Sequence, residues 1–399
     1  MFGRRGWVNN LLTLSKEIRD TIIELGGTDA YKCYQCGMCT ALCPWYQLEK
    51  VNFLVNRIPH NVKLGNVMAS EVKEEIDKEV EDLFRCVGCD NCLAYCPRGV
   101  NIGDIVRAIR RILIDYETLP KTLKDIATKI FNSGNPQGEP PEKRNNWAKD
   151  LDLPLYSVGM EYAYFPCCIP SYDVQARKIA QSTAKILKSS NISFGLVNDD
   201  VWCCCETVRN FGAEKIFQDI AQNNINAFNQ AQVKKIIVTS PHCYTTYKNE
   251  YPELGSKIEV IHTSQMFAKL ILDKKIIPTK PLKKKVVYHD PCTLGRQNNI
   301  YDEPRAVLKS IPKLELIEIE NFNRKDSVCC GAGSGGLWLD WQKGERMSDI
   351  RVKQAAETGA DILAVACPYC MIMFEDSIKT MNINLEVRDI SELLAESFQ

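Results

Sequence analysis

Eight cysteines between Cys33 and Cys96 form two copies of one run, and this run constrains the chain more than any other feature. Cys33, Cys36, Cys39 and Cys43 with Pro44 spell C-x2-C-x2-C-x3-C-P, and Cys86, Cys89, Cys92 and Cys96 with Pro97 spell it again. Three thiolates two residues apart wrap one corner of a metal centre, and the proline ends the turn as the chain leaves. Gly37 and Gly88 let the backbone curl close to inorganic sulfide. A pair of structural zinc sites is the competing reading. It needs only C-x2-C pairs and leaves the third cysteine and the C-P ending unexplained.

The full run, given twice, is the pattern of bacterial two-cluster ferredoxins, in which the fourth cysteine of each run ligates the other cluster. The expected ligands are therefore Cys33, Cys36, Cys39 and Cys96 for one [4Fe–4S] cubane. Cys86, Cys89, Cys92 and Cys43 are expected for the second. Such clusters carry one electron each. The stretch from Pro44 to Arg85 exceeds the compact ferredoxin spacing and points to the helical ferredoxin variety.

Composition supports metal over disulfides. Nineteen cysteines stand against four histidines in 399 residues, and the hydrophobic share of 45% is ample for two or three cored domains. The thiols recur in close groups and their total is odd, as expected of a reducing, cytoplasmic protein. Arg4 and Arg5 resemble a twin-arginine signal, but Asn9, Asn10, Lys16 and Glu17 interrupt the apolar stretch, so export is not expected. Fifty Lys+Arg balance fifty Asp+Glu, which leaves no global field to recruit nucleic acid. No window approaches the roughly 18 apolar residues of a spanning helix. Any place at the inner face of a membrane would come through a partner subunit.

The fold class expected is α+α/β. A helical ferredoxin domain spans 1–130, with amphipathic stretches Val72–Phe84 and Ile102–Tyr116, and a linker spans 131–158. Asn132–Asn146 (NSGNPQGEPPEKRNN) reads as exposed, being rich in Pro, Gly and charge. Then short β-like runs alternate with helical stretches, giving α/β layering in two domains, 159–280 and 281–399. These two domains are a duplication. Cys168 and Cys292 differ by 124 positions, Cys204 and Cys329 by 125, Cys205 and Cys330 by 125, and Cys243 and Cys370 by 127. Lys235–Tyr244 (KIIVTSPHCY) mirrors Asp361–Met371 (DILAVACPYCM).

In the last domain Cys292, Cys329, Cys330, Cys367 and Cys370 spell C-x36-C-C-x36-C-x2-C. Five thiolates exceed what a tetrahedral zinc or a cubane takes, and adjacent cysteines are awkward as two ligands of one small ion, so a larger or non-cubane cluster fits them better. The CCGAGSGG stretch from Cys329 lacks the Lys-Ser/Thr of a phosphate loop. Its glycines let backbone N–H groups approach sulfide. Five cysteines at a repeated spacing also argue against inert core thiols.

This arrangement, with HDPC and CCGAGSGG, resembles the cysteine-rich CCG domain of heterodisulfide reductases. The whole chain resembles their fused iron–sulfur subunit, and is similar to iron–sulfur subunits of anaerobic glycerol-3-phosphate dehydrogenase and glycolate oxidase. The resemblance implies a non-cubane [4Fe–4S] cluster on Cys292, Cys329, Cys330, Cys367 and Cys370, at which a disulfide is split in two one-electron steps. In the first copy Cys168, Cys204, Cys205 and Cys243 match, but Ser240 stands where Cys367 stands; a further cluster on the four thiolates, with the Ser240 oxygen as a poor fifth ligand, is expected over a site decayed to structure. Cys167 and Cys203 have no counterpart and are read as non-ligands, although either could replace the ligand lost at Ser240. His242 and His289 sit beside these cysteines; hydrogen bonding to backbone or sulfide is the usual role of such residues, and proton donation to a leaving thiolate the rarer one.

Two functions follow. In one, the chain is a heterodisulfide-reductase-like redox subunit of an anaerobic electron-transfer complex, passing electrons from two cubanes to the non-cubane cluster and on to a disulfide. In the other it is a non-catalytic conduit between a flavoprotein or hydrogenase-like partner and a quinone, ferredoxin or another reductase, with a membrane quinone-reactive subunit as a candidate neighbour. The loss at Ser240 favours the conduit, and the intact second motif favours the enzyme. No dinucleotide fingerprint is present, so flavin or nicotinamide chemistry is expected on other subunits.

Overall fold

The structure is a computed structural model and describes residues 15–65, 80–115 and 118–398. Arg4, Arg5 and most of the Val72–Phe84 stretch lie outside the described residues. The chain divides into two compact units. The first collects the described residues up to Asp125 with Thr207–Glu214 and Gly331–Met347; the second takes Ile126–Glu206, Lys215–Cys330 and the rest from Ser348.

The first unit is helical. Its longest helix among the described residues, Ile102–Asp115, buries Ile102, Ile105, Val106, Ile109 and Leu113, the i, i+3, i+4, i+7 stripe of an amphipathic helix. Arg110 on the same helix is buried, and its guanidinium donates to the carbonyls of Leu83, Cys86 and Asn210 at 2.7–3.2 Å. A buried guanidinium satisfied by main-chain oxygens is a rigid brace, and here it fixes the loop that opens the second cysteine run. Trp45, just after Pro44, donates from Nε1 to Arg85 O at 2.7 Å and packs on Trp341 at 4.9 Å. The residues flanking Cys43 and Cys86 are thus tied together.

The second unit holds two parallel four-stranded sheets of identical topology. The first contains β1 (Tyr162–Phe165), β2 (Phe194–Leu196), β3 (Lys235–Val238) and β4 (Glu259–His262) in the order β2-β1-β3-β4. The second contains β5 (Lys285–Tyr288), β6 (Glu315–Ile317), β7 (Ile362–Val365) and β8 (Glu386–Asp389) in the order β6-β5-β7-β8. Central strands such as YAYF and ILAV are buried throughout, as expected of parallel strands covered on both faces. The α/β duplication read from the sequence is therefore present. The last helix of each repeat packs on the first long helix of the other: Thr263–Leu272 on Asp302–Ser310, and Ile390–Glu396 on Arg177–Ser189.

In such sheets the chain leaves the first strand to one side and returns on the other, opening a crevice at the carboxyl ends of the two central strands. That crevice lies beyond β1 and β3 in one repeat, and beyond β5 and β7 in the other. Cys168 and Cys243 follow the first pair, and Cys292, Cys367 and Cys370 the second.

The segment expected as an exposed linker is partly buried. Asn135 and Arg144 are shielded from solvent, and Asn135 Nδ2 donates to Ser133 O and Glu139 O. Gly134, at φ +69°, lies against Trp202 so closely that a Cβ would meet the ring at 2.5 Å, and its carbonyl accepts from Cys203 N at 2.8 Å. Polar composition hid this packing because Asn135 satisfies main-chain groups rather than water, and Arg144 turns into the core.

Candidate metal centres

In the first unit the two runs line two cavities. One is walled by Cys33, Cys36, Cys39, Cys92 and Cys96; the other by Cys43, Cys86, Cys89 and Cys92. Gly37 at φ +78° and Gly88 at φ +60° take the left-handed turns that bend each run around its cavity. Gln35 donates from N and Nε2 to Cys33 Sγ, and Val100 N to Cys96 Sγ at 3.3 Å. Burial pushes the Cys43, Cys86 and Cys92 thiols up, so bare thiolates are disfavoured there and a cation must stabilise them. Concave, sulfur-lined walls with N–H donors aimed at sulfur suit a [4Fe–4S] cubane. The loop after Cys330 is part of this unit, and Ser334 Oγ would lie 2.8 Å from a Cβ at position 88.

In the second repeat the turn HDPC is set by Asp290. Its carboxylate is gripped by Arg305 through two bonds of 2.6 and 2.8 Å and accepts Arg324 N at 2.7 Å, all around a buried side chain. The five expected cysteines then meet in one buried group. Cys292 Sγ lies 3.7 Å from Cys329 Sγ, and Cys370 donates to Cys330 at 3.2 Å. Cys329 hydrogen-bonds Cys330, and Cys367 bonds Cys370. A ring nitrogen of His289 and the sulfurs of Cys330 and Cys370 all fall within 4.8 Å of one another. Hydrogen bonds from Cys329 and Cys370 hold the Cys330 thiol well below its ordinary range. Burial pushes Cys367 up, but bonds from Cys370 and His242 bring it down to about 6. Five converging sulfurs, some already poised as thiolates, fit a soft multi-iron centre.

The first repeat gathers six buried thiols. Cys204 and Cys243 are 3.5 Å apart. Cys204 also hydrogen-bonds Cys203, Cys243 bonds Cys167, and Cys168 bonds Cys203 and Arg144. Cys167 and Cys203, read from the sequence as non-ligands or as replacements for the lost one, thus lie inside the group. The doubled cysteines at 167–168 and the triplet at 203–205 were the available signal. Ser240 Oγ caps the helix Pro241–Thr245 by accepting His242 N at 3.3 Å.

The two groups adjoin within this unit. His242, two residues after Ser240, stacks on Tyr369, two residues after Cys367, at 4.5 Å and 28°. His242 Nδ1 is 3.1 Å from Glu206 Oε1, and the ring also hydrogen-bonds Cys367. Burial pulls the imidazole down, but Glu206 and Cys367 raise it well above its usual value. The carboxylate partner that the sequence left unassigned is therefore Glu206.

Residues 29–100 match the 4Fe-4S dicluster domain family, and residues 162–248 and 286–375 each match the cysteine-rich domain family. The chain is thus an iron–sulfur protein joining a dicluster domain to a tandem pair of cysteine-rich domains. A subunit of the dihydromethanophenazine:CoB--CoM heterodisulfide reductase of Methanosarcina barkeri is 29% identical over 94% of this chain and 95% of its own length. The probable iron-sulfur-binding oxidoreductase FadF of Bacillus subtilis is 31% identical over 92% of this chain and 60% of its own. EtfAB:quinone oxidoreductase of Syntrophomonas wolfei is 29% identical over 93% and 58%. The chain belongs to the heterodisulfide-reductase-like family of iron–sulfur oxidoreductases, and spans about three fifths of the length of the latter two relatives. A hypothetical protein from Helicobacter pylori shares the fold, with a TM-score of 0.52 at 10% identity over 98% of this chain and 74% of that one. Among the described residues no helix is long and apolar enough to cross a membrane.

Proposed function

We propose that this chain is a heterodisulfide-reductase-like redox subunit of an anaerobic electron-transfer complex. Cys33, Cys36, Cys39 and Cys96 hold one [4Fe–4S] cubane, Cys43, Cys86, Cys89 and Cys92 the other, and Cys292, Cys329, Cys330, Cys367 and Cys370 a non-cubane [4Fe–4S] cluster. When bound, the cubanes supply single electrons and the five-thiolate cluster supplies the metal centre for disulfide reduction. The observation that carries this reading is the meeting of five buried sulfurs in the crevice beyond β5 and β7.

The chain's own residues supply the rest. Reduction of a disulfide takes two electrons and two protons and releases two thiols, so a proton must be held near the site. His242 holds one beside Cys367, and Glu206 keeps the ring in place. The Asp290–Arg305 pair fixes the turn that presents Cys292.

A second reading, a conduit between a flavoprotein and a quinone-reactive partner, is supported by the similarity to EtfAB:quinone oxidoreductase. Electron paramagnetic resonance of the oxidised protein, with and without a small alkyl thiol, separates the two. The disulfide reading expects a new signal that needs both the thiol and Cys367; no thiol-dependent signal leaves the conduit.

A further inference from the structure

We infer that the first cysteine-rich repeat, despite Ser240, holds its own non-cubane iron–sulfur cluster through Cys167, Cys168, Cys203, Cys204 and Cys243. The kind of cluster rests on the reading of the second repeat; the choice of ligands rests on the backbone and contacts of the first.

Strand register aligns the repeats without reference to cysteine spacing. Tyr164 is opposite Ile237, and Tyr288 is opposite Ala364. Cys168 and Cys292 each lie four residues beyond those tyrosines, and Cys243 and Cys370 each lie six beyond Ile237 and Ala364. The middle cysteines are placed by backbone conformation. Gly331, after Cys329–Cys330, has φ +90°, and in the first repeat the left-handed residue is Cys205, at φ +63°. Cys205 therefore stands where Gly331 stands, and Cys203–Cys204 where Cys329–Cys330 stand. This is one residue away from the pairing that the sequence suggested.

With that shift the sulfur contacts coincide, save that Cys205 adds a bond to Cys203 that Gly331 cannot make, its thiol also donating to Cys203 O at 3.5 Å. Cys168 meets Cys203 as Cys292 meets Cys329. Cys204 meets Cys243 at 3.5 Å as Cys330 meets Cys370 at 3.2 Å. Cys243 then bonds Cys167, just as Cys370 bonds Cys367. Cys167 takes the place of the missing thiol from a different strand end, where the second repeat has Pro291.

Two further features point to an occupied centre. Cys167 has φ +76° and ψ +158°, a region that is essentially glycine's alone and costs a side-chain-bearing residue about 1–3 kcal/mol. Arg144, 1% exposed, contacts Cys168, and its Nε and Nη1 find no hydrogen-bond partner among the described residues. Unlike Arg110, this guanidinium has no main-chain oxygens bonded to those two nitrogens; the Phe165 and Tyr172 rings at 5.2 and 5.8 Å are its other neighbours, and a thiolate-bound cluster would supply the anion that offsets it. Zinc would use only four of these five thiols.

The test is iron and zinc content per chain after anaerobic reconstitution of the full-length protein, with the reduced cubane resonance signal as a check on folding. Cys167→Ala is expected to lose about 4 Fe, the content of one such cluster. Cys205→Ala is expected to lose none. Adding Ser240→Cys to Cys167→Ala should restore the iron, which separates ligand loss from misfolding. Iron lost from Cys205→Ala but kept in Cys167→Ala overturns the inference, as does zinc in the wild-type first repeat. Iron kept in Cys367→Ala but lost from Cys167→Ala sinks the reading of the second repeat and leaves this one standing.

Discussion

His242 and Tyr369 occupy the same place in their two repeats and stack on each other, centroids 4.5 Å apart. His242 reaches from the first repeat to Cys367 of the second, while Tyr369 lies beside Cys167, Cys203 and Cys204 of the first. An N–H donated to a cluster thiolate favours the reduced, more negative state and so raises the potential. His242→Phe keeps the stacking face and removes the donor. The expected result is unchanged iron content and a fall of roughly 60 mV in the potential of the second-repeat cluster, about 1.4 kcal/mol for one electron. A redox titration followed by paramagnetic resonance measures it, and no shift would mean that the bond to Cys367 does not tune the centre.

Asp290 tests how the second site is built. Its carboxylate is enclosed by Arg305 and Arg324 N, so Asp290→Ala leaves a buried guanidinium without that partner. Glu318 still pairs with Arg305 through two bonds of 2.7 and 2.8 Å, so the cost falls below the roughly 3–5 kcal/mol of stranding a buried charge outright. The variant is expected to melt earlier and to load less iron in the second repeat, while the cubane signals persist. Full iron loading would show that Cys292 is placed without this clamp.

Position 262 and its counterpart 389 predict opposing pH effects. Each caps the helix that follows its sheet's last strand, with Gln265 or Glu392 completing the capping box. Burial pulls His262 down from 6.5 to about 3, so the unfolded chain binds a proton that the folded one refuses. Its contribution to stability is complete above about pH 6.5 and is lost as pH falls toward 3. Burial pushes Asp389 up from 3.8 to about 7, so its contribution is complete below about pH 3.8 and is lost as pH rises toward 7. Each slope reaches at most about 1.4 kcal/mol per pH unit, and between pH 4 and 6.5 they oppose one another. Relative to wild type, the melting temperature of His262→Asn should fall as pH rises across about 4 to 6.5, and that of Asp389→Asn should rise. Flat differences would contradict the assigned burial effects.

The duplication and the α/β class were legible because parallel strands buried on both faces write continuous apolar runs such as YAYF and ILAV. Cysteine spacing showed which residues belong near metal. It did not show which cysteine of a triplet faces the site, because that depends on the left-handed turn at Cys205, and a lone sequence gives φ away only at glycine. The same limit made Ser240 look like a loss and left Cys167 and Cys203 equal as its replacement. Glu206 went unpaired with His242, and Arg144 was read as linker, since both act through tertiary contacts far apart in sequence. If Cys167 replaces the missing thiol, both repeats carry five-sulfur sets, and Ser240 no longer favours a conduit.

The most direct test is the iron, sulfide and zinc content of the wild-type chain, purified and reconstituted without oxygen. Two cubanes and one non-cubane cluster require about 12 Fe per chain, and a cluster in each repeat requires about 16. The predicted result is about 16 Fe, with negligible zinc. A value of about 8 Fe, with or without zinc, would confine the iron to Cys33–Cys96 and contradict the proposed cluster at Cys292–Cys370.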